Sequence, residues 1–314
     1  MRHSKIIHNE LAKTKRALTI AAERANTAIK KLQLNRSDGE FLNIITAKPG
    51  WIGRYPCSHF ALRTASARAM AIALLDQWAS MQTHNRHDIW LGTFCFDDGI
   101  TSVAIADVNL RRIKGKISKI MYEHKIHGIY AVEVEIVTGH VASSKAQLMF
   151  HVHMACWRTD GRKFLPKKTA KAMMDTARFP NALGARSVVF TKRNQTPKNI
   201  AGLAGYITKW PACVKLRRPN GRDGYNLVHD QAKYSPAKML RMVEVLSHVS
   251  IPDMIGGIGD GVRVRKEWKR KFTQCVHDQT GKHPIKLKRE DIANGWARIR
   301  AKHNLKGRPC QIKV

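Results

Sequence analysis

The pattern of apolar and polar positions predicts helices towards both ends of the chain, with strands and helices alternating between them. A basic helix with a thin apolar stripe is predicted at 5–34, and a more apolar helix at 60–81. Strands are predicted at 89–96, 129–137, 147–157 and 187–191. Further helices are predicted at 104–123, 165–177, 196–210 and 236–247. The order of elements from 89 to 210 is therefore β-α-β-β-α-β-α.

The two middle strands are joined by a short polar segment, which favours an antiparallel pair at the centre of a sheet. We therefore expect an α+β fold with a central antiparallel sheet and helices on one face. Residues 86–212 are expected to form this central domain. It is flanked by helical basic extensions, at 1–85 and 213–314. Segments with several glycines, at 39–56 and 256–261, are predicted as loops.

The charge of the chain changes this picture by indicating a partner. Lys and Arg number 56 and Asp and Glu 23, which gives a net charge of +33 over 314 residues. So basic a chain is expected to bind a polyanion, and nucleic acid is the first candidate. With 43% hydrophobic residues the chain can bury a core, so intrinsic disorder is not expected. No run of about 18 uncharged apolar residues occurs, so no membrane span is predicted.

The cysteines and the first residues indicate a reducing compartment. The six cysteines are dispersed without a Cys-x-x-Cys pair, unlike those of a disulfide scaffold or a zinc ribbon. Residues 1–5 are polar and basic and do not lead into an apolar export signal. We therefore expect a cytoplasmic protein.

The last 52 residues, 263–314, hold 16 Lys and Arg against 4 Asp and Glu. Basic residues crowd around Trp268, and more follow Trp296. Basic side chains interleaved with aromatic rings suit phosphate contacts combined with base stacking. The segment is thus predicted to bind DNA; the alternative is a solvated charged surface.

Two histidines and two glutamates are predicted to share one face of the sheet. Side chains alternate along a strand, so His151 and His153 point to one face, outside the apolar core. In the preceding strand Glu133 and Glu135 are likewise set apart from the apolar positions. A hairpin centred on Ser143 would pair Glu133 with His153 and Glu135 with His151. Two imidazoles and a carboxylate suit a catalytic divalent metal, although Glu–His pairs without a metal remain an alternative.

The helix at 196–210 carries a tyrosine and a lysine one turn apart. Thr196 suits the N-cap and Pro197 the first helical position. On a helical wheel Tyr206 lies at the edge of the buried stripe and Lys209 lies further round. Gly202 and Gly205 leave that side of the helix bare, which would permit close approach of a phosphate backbone. The alternative is an amphipathic helix whose Tyr and Lys simply reach water.

Taken in order, these segments resemble the three motifs of the HUH endonucleases, specifically the rolling-circle replication initiators of bacterial plasmids and phages. The first motif, a strand of the type F-L-T-L-T, is represented by residues 91–95, with Cys95 in place of the second threonine. The second, His-hydrophobe-His, is matched by 150–153 together with the glutamate strand upstream, and the third, Tyr-x-x-Lys, by 205–209. The resemblance covers about residues 89–210.

The resemblance implies a role for each of these side chains. His151 and His153 would be metal ligands, and Glu133 the third ligand, with Glu135 as a competitor. Tyr206 would be the nucleophile, and Lys209 would stabilise negative charge beside it. Two other tyrosines, Tyr225 and Tyr234, fall outside this helix, which favours the single-tyrosine class.

The resemblance also implies a function. The protein would nick one strand of single-stranded origin DNA, form a 5′-phosphotyrosine and leave a 3′-OH as primer. The metal would be Mg²⁺ or Mn²⁺, with Zn²⁺ also compatible, and the further partners a host helicase and DNA polymerase. HUH-type transposases and mobilisation relaxases use the same chemistry and are an alternative. A non-catalytic basic nucleic-acid-binding protein would explain the charge equally well.

Overall fold

A computed structural model of the chain describes residues 4–48, 51–53, 55–83, 88–138, 145–158, 160, 164–175, 187–209, 215–219, 225–229, 234–278 and 285–314. The described helices are α1 Ser4–Lys30, α2 Arg36–Thr46, α3 Phe60–Thr83, α4 Leu110–Glu123, α5 Pro166–Met174, α6 Pro197–Ile207, α7 Pro236–Ser247, α8 Ile251–Met254, α9 Gly261–His277 and α10 Arg289–His303. The described strands are β1 Trp51–Gly53, β2 Trp90–Ser102, β3 Asp107–Asn109, β4 Ile126–Thr138, β5 Gln147–Arg158, β6 Val188–Lys192, β7 Lys215–Pro219, β8 Tyr225–His229, β9 Ile255–Ile258, β10 Ile285–Leu287 and β11 Gln311–Lys313.

The centre of the fold is an antiparallel sheet, so the predicted α+β class is confirmed. Strands β6, β2, β5 and β4 lie side by side in this order, and β9 pairs with β4, each antiparallel to its neighbour. At the far end of β4, β7 runs parallel to it and β8 pairs antiparallel with β7. The predicted antiparallel pairing of the two middle strands is likewise confirmed. No helix among the described residues is both long and apolar enough to cross a bilayer.

The predicted register of the central hairpin is wrong by two residues. Glu133 pairs with His151, not His153, and His153 pairs with Ala131. Glu135 pairs with Met149 rather than with His151. A shift by an even number of residues leaves every side chain on its original face. The histidines and glutamates therefore still share one face.

Helices cover both faces of the sheet, so the expectation of helices on one face is wrong. On the apolar face, helix α4 packs against β4 and β2, and Tyr130 of β4 lies near Ser118 of α4. On the opposite face, the ring centroid of Tyr206 in α6 lies 4.8 Å from that of His153 in β5. Nearly every residue of β4 and β5 is buried, whichever face it points to. A strand buried on both sides needs a covering layer on each.

The aromatic residues of the basic C-terminal segment belong to the core, so their predicted stacking on DNA is wrong. Trp268 is fully buried, stacks on Phe272 with ring centroids 5.4 Å apart, and donates its Nε1 proton to Ser66 O in α3. Trp296 is 2% exposed and donates its Nε1 proton to Ser247 Oγ at 2.8 Å. These rings lie in one hydrophobic cluster that also contains buried residues of α1, α3 and the sheet. Their packing joins both extensions to the central sheet.

Several predicted boundaries differ from those observed. The segment predicted as a loop from residue 39 begins inside α2, which runs to Thr46 and is capped by Asn35 Oδ1 accepting from the Asp38 N–H at 2.8 Å. The first part of the predicted loop 256–261 is strand β9. Its glycines reflect close packing, since a Cβ at Gly256 would overlap the ring of Tyr130. The helix predicted at 104–123 begins only at Leu110, after the short strand β3.

Candidate metal and nucleophile site

Three donor atoms from β4 and β5 meet at one point of the sheet. His151 Nε2 lies 3.0 Å from His153 Nε2, and Glu133 Oε2 lies 3.8 Å and 3.4 Å from these nitrogens. Two ligands bound about 2.1 Å from one cation, at angles of about 90–109°, are about 3.0–3.4 Å apart. Two of the three distances lie in this range, and the third, 3.8 Å, exceeds it by about 0.4 Å. Glu133, His151 and His153 thus form a candidate metal-binding group, the metal group.

The other ring nitrogens of both histidines face polar atoms of the sheet. His153 Nδ1 lies 3.0 Å from Thr93 Oγ1 on β2, and His151 Nδ1 lies 3.4 Å from Met149 O. A partner at Nδ1 orients the imidazole and directs Nε2 towards a metal. Thr93 lies in the first motif segment, but no role for its side chain was predicted. Only the pairing of β2 with β5 places it opposite His153.

Burial of this group is greater than the sequence predicts. The histidines were expected on a face outside the core, yet His151 is 0% and His153 1% exposed. Glu133 and Glu135 are also buried, whereas Tyr206 is 37% exposed. The group is covered because helices also pack on this face. The tyrosine is thus the solvent-accessible edge of an otherwise buried site.

The two glutamates differ in their distance to the imidazoles. Of the two, Glu133 has a carboxylate oxygen close enough to His151 and His153 to bind the same metal ion. Glu135 Oε2 lies 3.8 Å from His151 Nε2, and its Oε1 lies 3.5 Å from Lys209 Nζ. The geometry thus favours Glu133 as the third donor, with Glu135 beside it as a partner of the lysine.

Helix α6 brings a tyrosine and a lysine to the metal group. Its predicted start is confirmed, since Thr196 accepts from the Asn199 N–H and Pro197 is the first helical residue. The helix ends at Ile207, earlier than predicted, and residue 210 lies outside the described residues. Tyr206 contacts His153 ring to ring, and Lys209 Nζ lies 4.3 Å from the centroid of the Tyr206 ring.

The charge of Lys209 is maintained by the neighbouring carboxylates. Its Nζ lies 3.6 Å from Glu133 Oε2 and 3.5 Å from Glu135 Oε1. Burial lowers the pKa of Lys209, but Glu133, Glu135 and Tyr206 together outweigh burial and raise that pKa above the usual value for lysine. The lysine therefore stays protonated at neutral pH. A second cation was not predicted: the guanidinium of Arg193, after β6, lies 5.7 Å from the Tyr206 ring centroid.

The bare side of α6 packs against α1, so the predicted approach of a phosphate backbone to its glycines is wrong. A Cβ at Gly205 would overlap Thr14 Oγ1, and a Cβ at Gly202 would lie 3.3 Å from Glu10 Oε2. The small residues allow the two helices to approach closely. The N-terminal helix is therefore packed directly against the helix that carries Tyr206.

This packing predicts the effect of a single methyl group. Gly205→Ala is expected to lower the free energy of unfolding by about 1–3 kcal/mol, because overpacking outweighs the better helix propensity of alanine. Adding Thr14→Ala removes the overlapping hydroxyl, leaves Thr14 Cβ 3.6 Å from the new methyl, and should restore stability. Urea unfolding of both variants measures the effect. A fully stable Gly205→Ala protein would show that close packing of α1 does not require a glycine at this position.

Of the other tyrosines considered, Tyr234 is buried in the core just before α7. Tyr225 lies at the start of β8, which β7 separates from β4. Tyr206 is the tyrosine whose ring the structure places against a histidine of the metal group.

A second group of possible ligands, Glu244, His248 and Cys310, is better explained as a structural cluster. The Glu244 carboxylate accepts from Arg241 at 2.7 Å and from Arg300 at 2.6 and 2.7 Å. Burial raises the pKa of the Cys310 thiol to about 12, so the thiolate that a metal requires is scarce at neutral pH. Two guanidinium groups would also repel a cation.

Comparisons of the chain with protein-family models, with curated proteins and with solved structures found no match. Evidence for a function therefore comes from the site itself. Its components are three clustered metal-donor atoms, an accessible tyrosine and two cations beside that tyrosine.

Proposed function

We propose that the protein is a metal-dependent DNA endonuclease and strand transferase that cuts one strand through Tyr206 and initiates rolling-circle replication. The observation that carries the proposal is the contact between Tyr206 and His153, which come from elements more than 50 residues apart in sequence. A tyrosine beside a His–His–Glu group is the arrangement that the motif resemblance implies. A non-catalytic DNA-binding protein has no use for this convergence.

The proposed reaction exchanges one ester for another. A divalent cation held by Glu133, His151 and His153, Mg²⁺ or Mn²⁺ with Zn²⁺ also compatible, would polarise the scissile phosphate. The hydroxyl oxygen of Tyr206 attacks phosphorus and loses its proton to solvent. The bond from phosphorus to the 3′ oxygen breaks, and that oxygen takes up a proton. The products are a 5′-phosphotyrosine and a free 3′-OH.

The two cations beside Tyr206 have different tasks in this proposal. Lys209 is held by two carboxylates and lies against the tyrosine ring, where its charge stabilises the developing phenolate. Arg193 forms no ion pair with a carboxylate among the described residues, so its guanidinium is available to a phosphate oxygen. Lys209 thus acts on the nucleophile, and Arg193 on the DNA.

The role in replication follows from the products. A free 3′-OH can prime synthesis by a host polymerase, with a host helicase opening the duplex. The phosphotyrosine conserves the phosphodiester energy, so a later transfer can reseal the displaced strand. Transposases and relaxases share this chemistry, and the choice between them depends on the DNA that is cut. A hairpin origin beside the gene supports an initiator, whereas transposon ends or a transfer origin support the alternatives.

The proposal is tested by incubating the full chain with single-stranded DNA from that region and Mn²⁺ or Mg²⁺. The expected result is a protein–DNA product that survives denaturing electrophoresis, together with a cleaved 3′ end that a polymerase extends. Tight DNA binding with no such product under any divalent metal would favour the non-catalytic binding protein.

Contacts with the DNA backbone are proposed on the exposed side of α9. With Trp268 buried, the part of the basic C-terminal segment left for DNA is its charged surface. Arg263, Lys266 and Lys269 are exposed, and the two lysines form no ion pair among the described residues. Three cations spaced three residues apart on a helix lie along one side. They can contact successive phosphates.

This surface predicts a salt-dependent loss of affinity. Lys266→Glu combined with Lys269→Glu is expected to weaken DNA binding, and to reduce the slope of log K against log salt by about 0.7–0.9 for each lost phosphate contact. Fluorescence anisotropy at several salt concentrations measures the slope. The charge-matched control combines Lys302→Glu with Lys313→Glu, two exposed lysines on α10 and β11. Equal losses in the two pairs would show that only total charge matters.

A further inference from the structure

Arg63, in the first turn of α3, reaches from the N-terminal extension to the end of the tyrosine helix. Its side chain is buried, with its Nε donating to Cys57 O at 2.5 Å. Its Nη1 donates to Lys209 O at 2.8 Å and lies 3.4 Å from Thr208 O. One guanidinium thus connects the start of α3 to the residues that follow α6.

These contacts satisfy carbonyl groups that the helix leaves without an internal partner. The last turn of an α-helix and the residues just after it present carbonyl oxygens without intrahelical donors. A buried guanidinium at this end supplies donors and a positive charge where the helix dipole is negative. Since α6 ends at Ile207, Arg63 binds the chain directly beyond the helix, two and three residues after Tyr206.

The residue held in this way is the lysine of the site. The Lys209 backbone is fixed by Arg63, while its side chain extends to Glu133 and Glu135 and lies against the Tyr206 ring. Arg63 also lines a small cavity together with Glu133. A displacement of the α6 end would therefore move the tyrosine and the lysine relative to the metal group together.

We propose that Arg63 is a positioning residue for the strand-transfer reaction, which holds the end of α6 so that Tyr206 and Lys209 stay aligned with the metal group. The inference rests on the proposed function, because alignment matters only if Tyr206 attacks DNA. If Arg63 has this role, α3 contributes to the active site, although the motif resemblance begins only at about residue 89. The buried guanidinium acts through the backbone of α6, not by contact with DNA.

The test compares Arg63→Met with Arg241→Met. Arg241 is an equally buried arginine whose Nε donates to Val103 O at 2.8 Å, on a different part of the fold. Both variants lose a buried guanidinium and its carbonyl partners. Arg241→Met also loses the ion pair with Glu244, which keeps Arg300 as a partner, so it is the more severe change. Arg63→Met is expected to slow adduct formation at saturating DNA by about 100-fold, the scale of a misplacement of roughly 1 Å, with DNA affinity unchanged. Arg241→Met should stay within about threefold of wild type once corrected for folded fraction.

Hydrogen exchange of the backbone amides at 204–209 supplies a readout that needs no cleavage. Exchange there should be faster in Arg63→Met and unchanged in Arg241→Met. Unchanged exchange together with an unchanged rate in Arg63→Met would overturn the inference, and so would equal rate losses in the two variants. If the wild type forms no adduct, the proposed function fails, and the exchange comparison still shows whether Arg63 orders the end of α6.

Arg63→Lys covers the case in which Arg63→Met does not fold. Lysine keeps the positive charge, but its single nitrogen cannot reach Cys57 O and Lys209 O as the planar guanidinium does. The inference is supported if the rate of adduct formation and the amide exchange of Arg63→Lys lie between those of wild type and Arg63→Met. If Arg63→Met cannot be measured, the values of Arg63→Lys should lie between those of wild type and the unfolded chain. Wild-type values for both in Arg63→Lys would overturn it.

Discussion

Replacing Tyr206 with phenylalanine is expected to abolish the covalent protein–DNA adduct and leave DNA binding within about twofold of wild type. The substitution removes one oxygen atom and keeps the ring that contacts His153 and Lys209. Without that oxygen no bond to phosphorus can form at this position. Because the side chain is partly exposed, loss of the hydroxyl should cost little stability.

Denaturing electrophoresis measures the adduct, and mass spectrometry of the wild-type peptide locates the phosphotyrosine. Lys209→Ala is the companion variant: it should slow adduct formation without eliminating it, because charge stabilisation assists the attack but supplies no bond. An adduct on Tyr225 or Tyr234 would mean that the nuclease class is right and the nucleophile wrong. An undiminished adduct in Tyr206→Phe would lead to the same conclusion.

Loss of a metal ligand is the second large effect expected. His153→Ala or His151→Ala should abolish nicking and weaken Mn²⁺ binding by more than the roughly 10–100-fold that follows from loss of an outer hydrogen-bond partner. Glu133→Ala should cost more activity than Glu135→Ala, since of the two it is Glu133 that forms the candidate group with both imidazoles. Isothermal titration with Mn²⁺ and the nicking assay measure the two effects on the same samples.

Burial of the ligands requires a control for folding. Both histidines are almost fully buried, so each alanine variant also loses packing, and its circular dichroism and thermal transition must be compared with wild type. Thr93→Val tests the histidine orientation alone: it removes the hydroxyl near His153 Nδ1 and keeps the side-chain volume. A loss of about 10–100-fold is expected there. Full activity of His153→Ala in the presence of a chelator would end the metal hypothesis.

What the sequence determined by itself are features that depend on near neighbours along the chain. Alternation along β5 placed His151 and His153 on one face, and the same alternation in β4 placed Glu133 with them. The capping preference of Thr196 and the fixed φ of Pro197 located the start of α6. Each of these signals has a period or a range of two to four residues. Such a signal can be identified without knowledge of the rest of the fold.

The tertiary structure alone decided which surfaces meet. The register of β4 against β5 differs from the predicted one by two residues, a shift that keeps every side chain on its face and therefore leaves no trace in the hydrophobic pattern. The glycines of α6 accommodate α1, and Trp268 packs against α3. The sequence predicts DNA contacts for the glycines and for the tryptophan. A small or aromatic residue has the same appearance in sequence whether a helix or a ligand covers it. Only contacts between residues far apart in the chain distinguish the two cases.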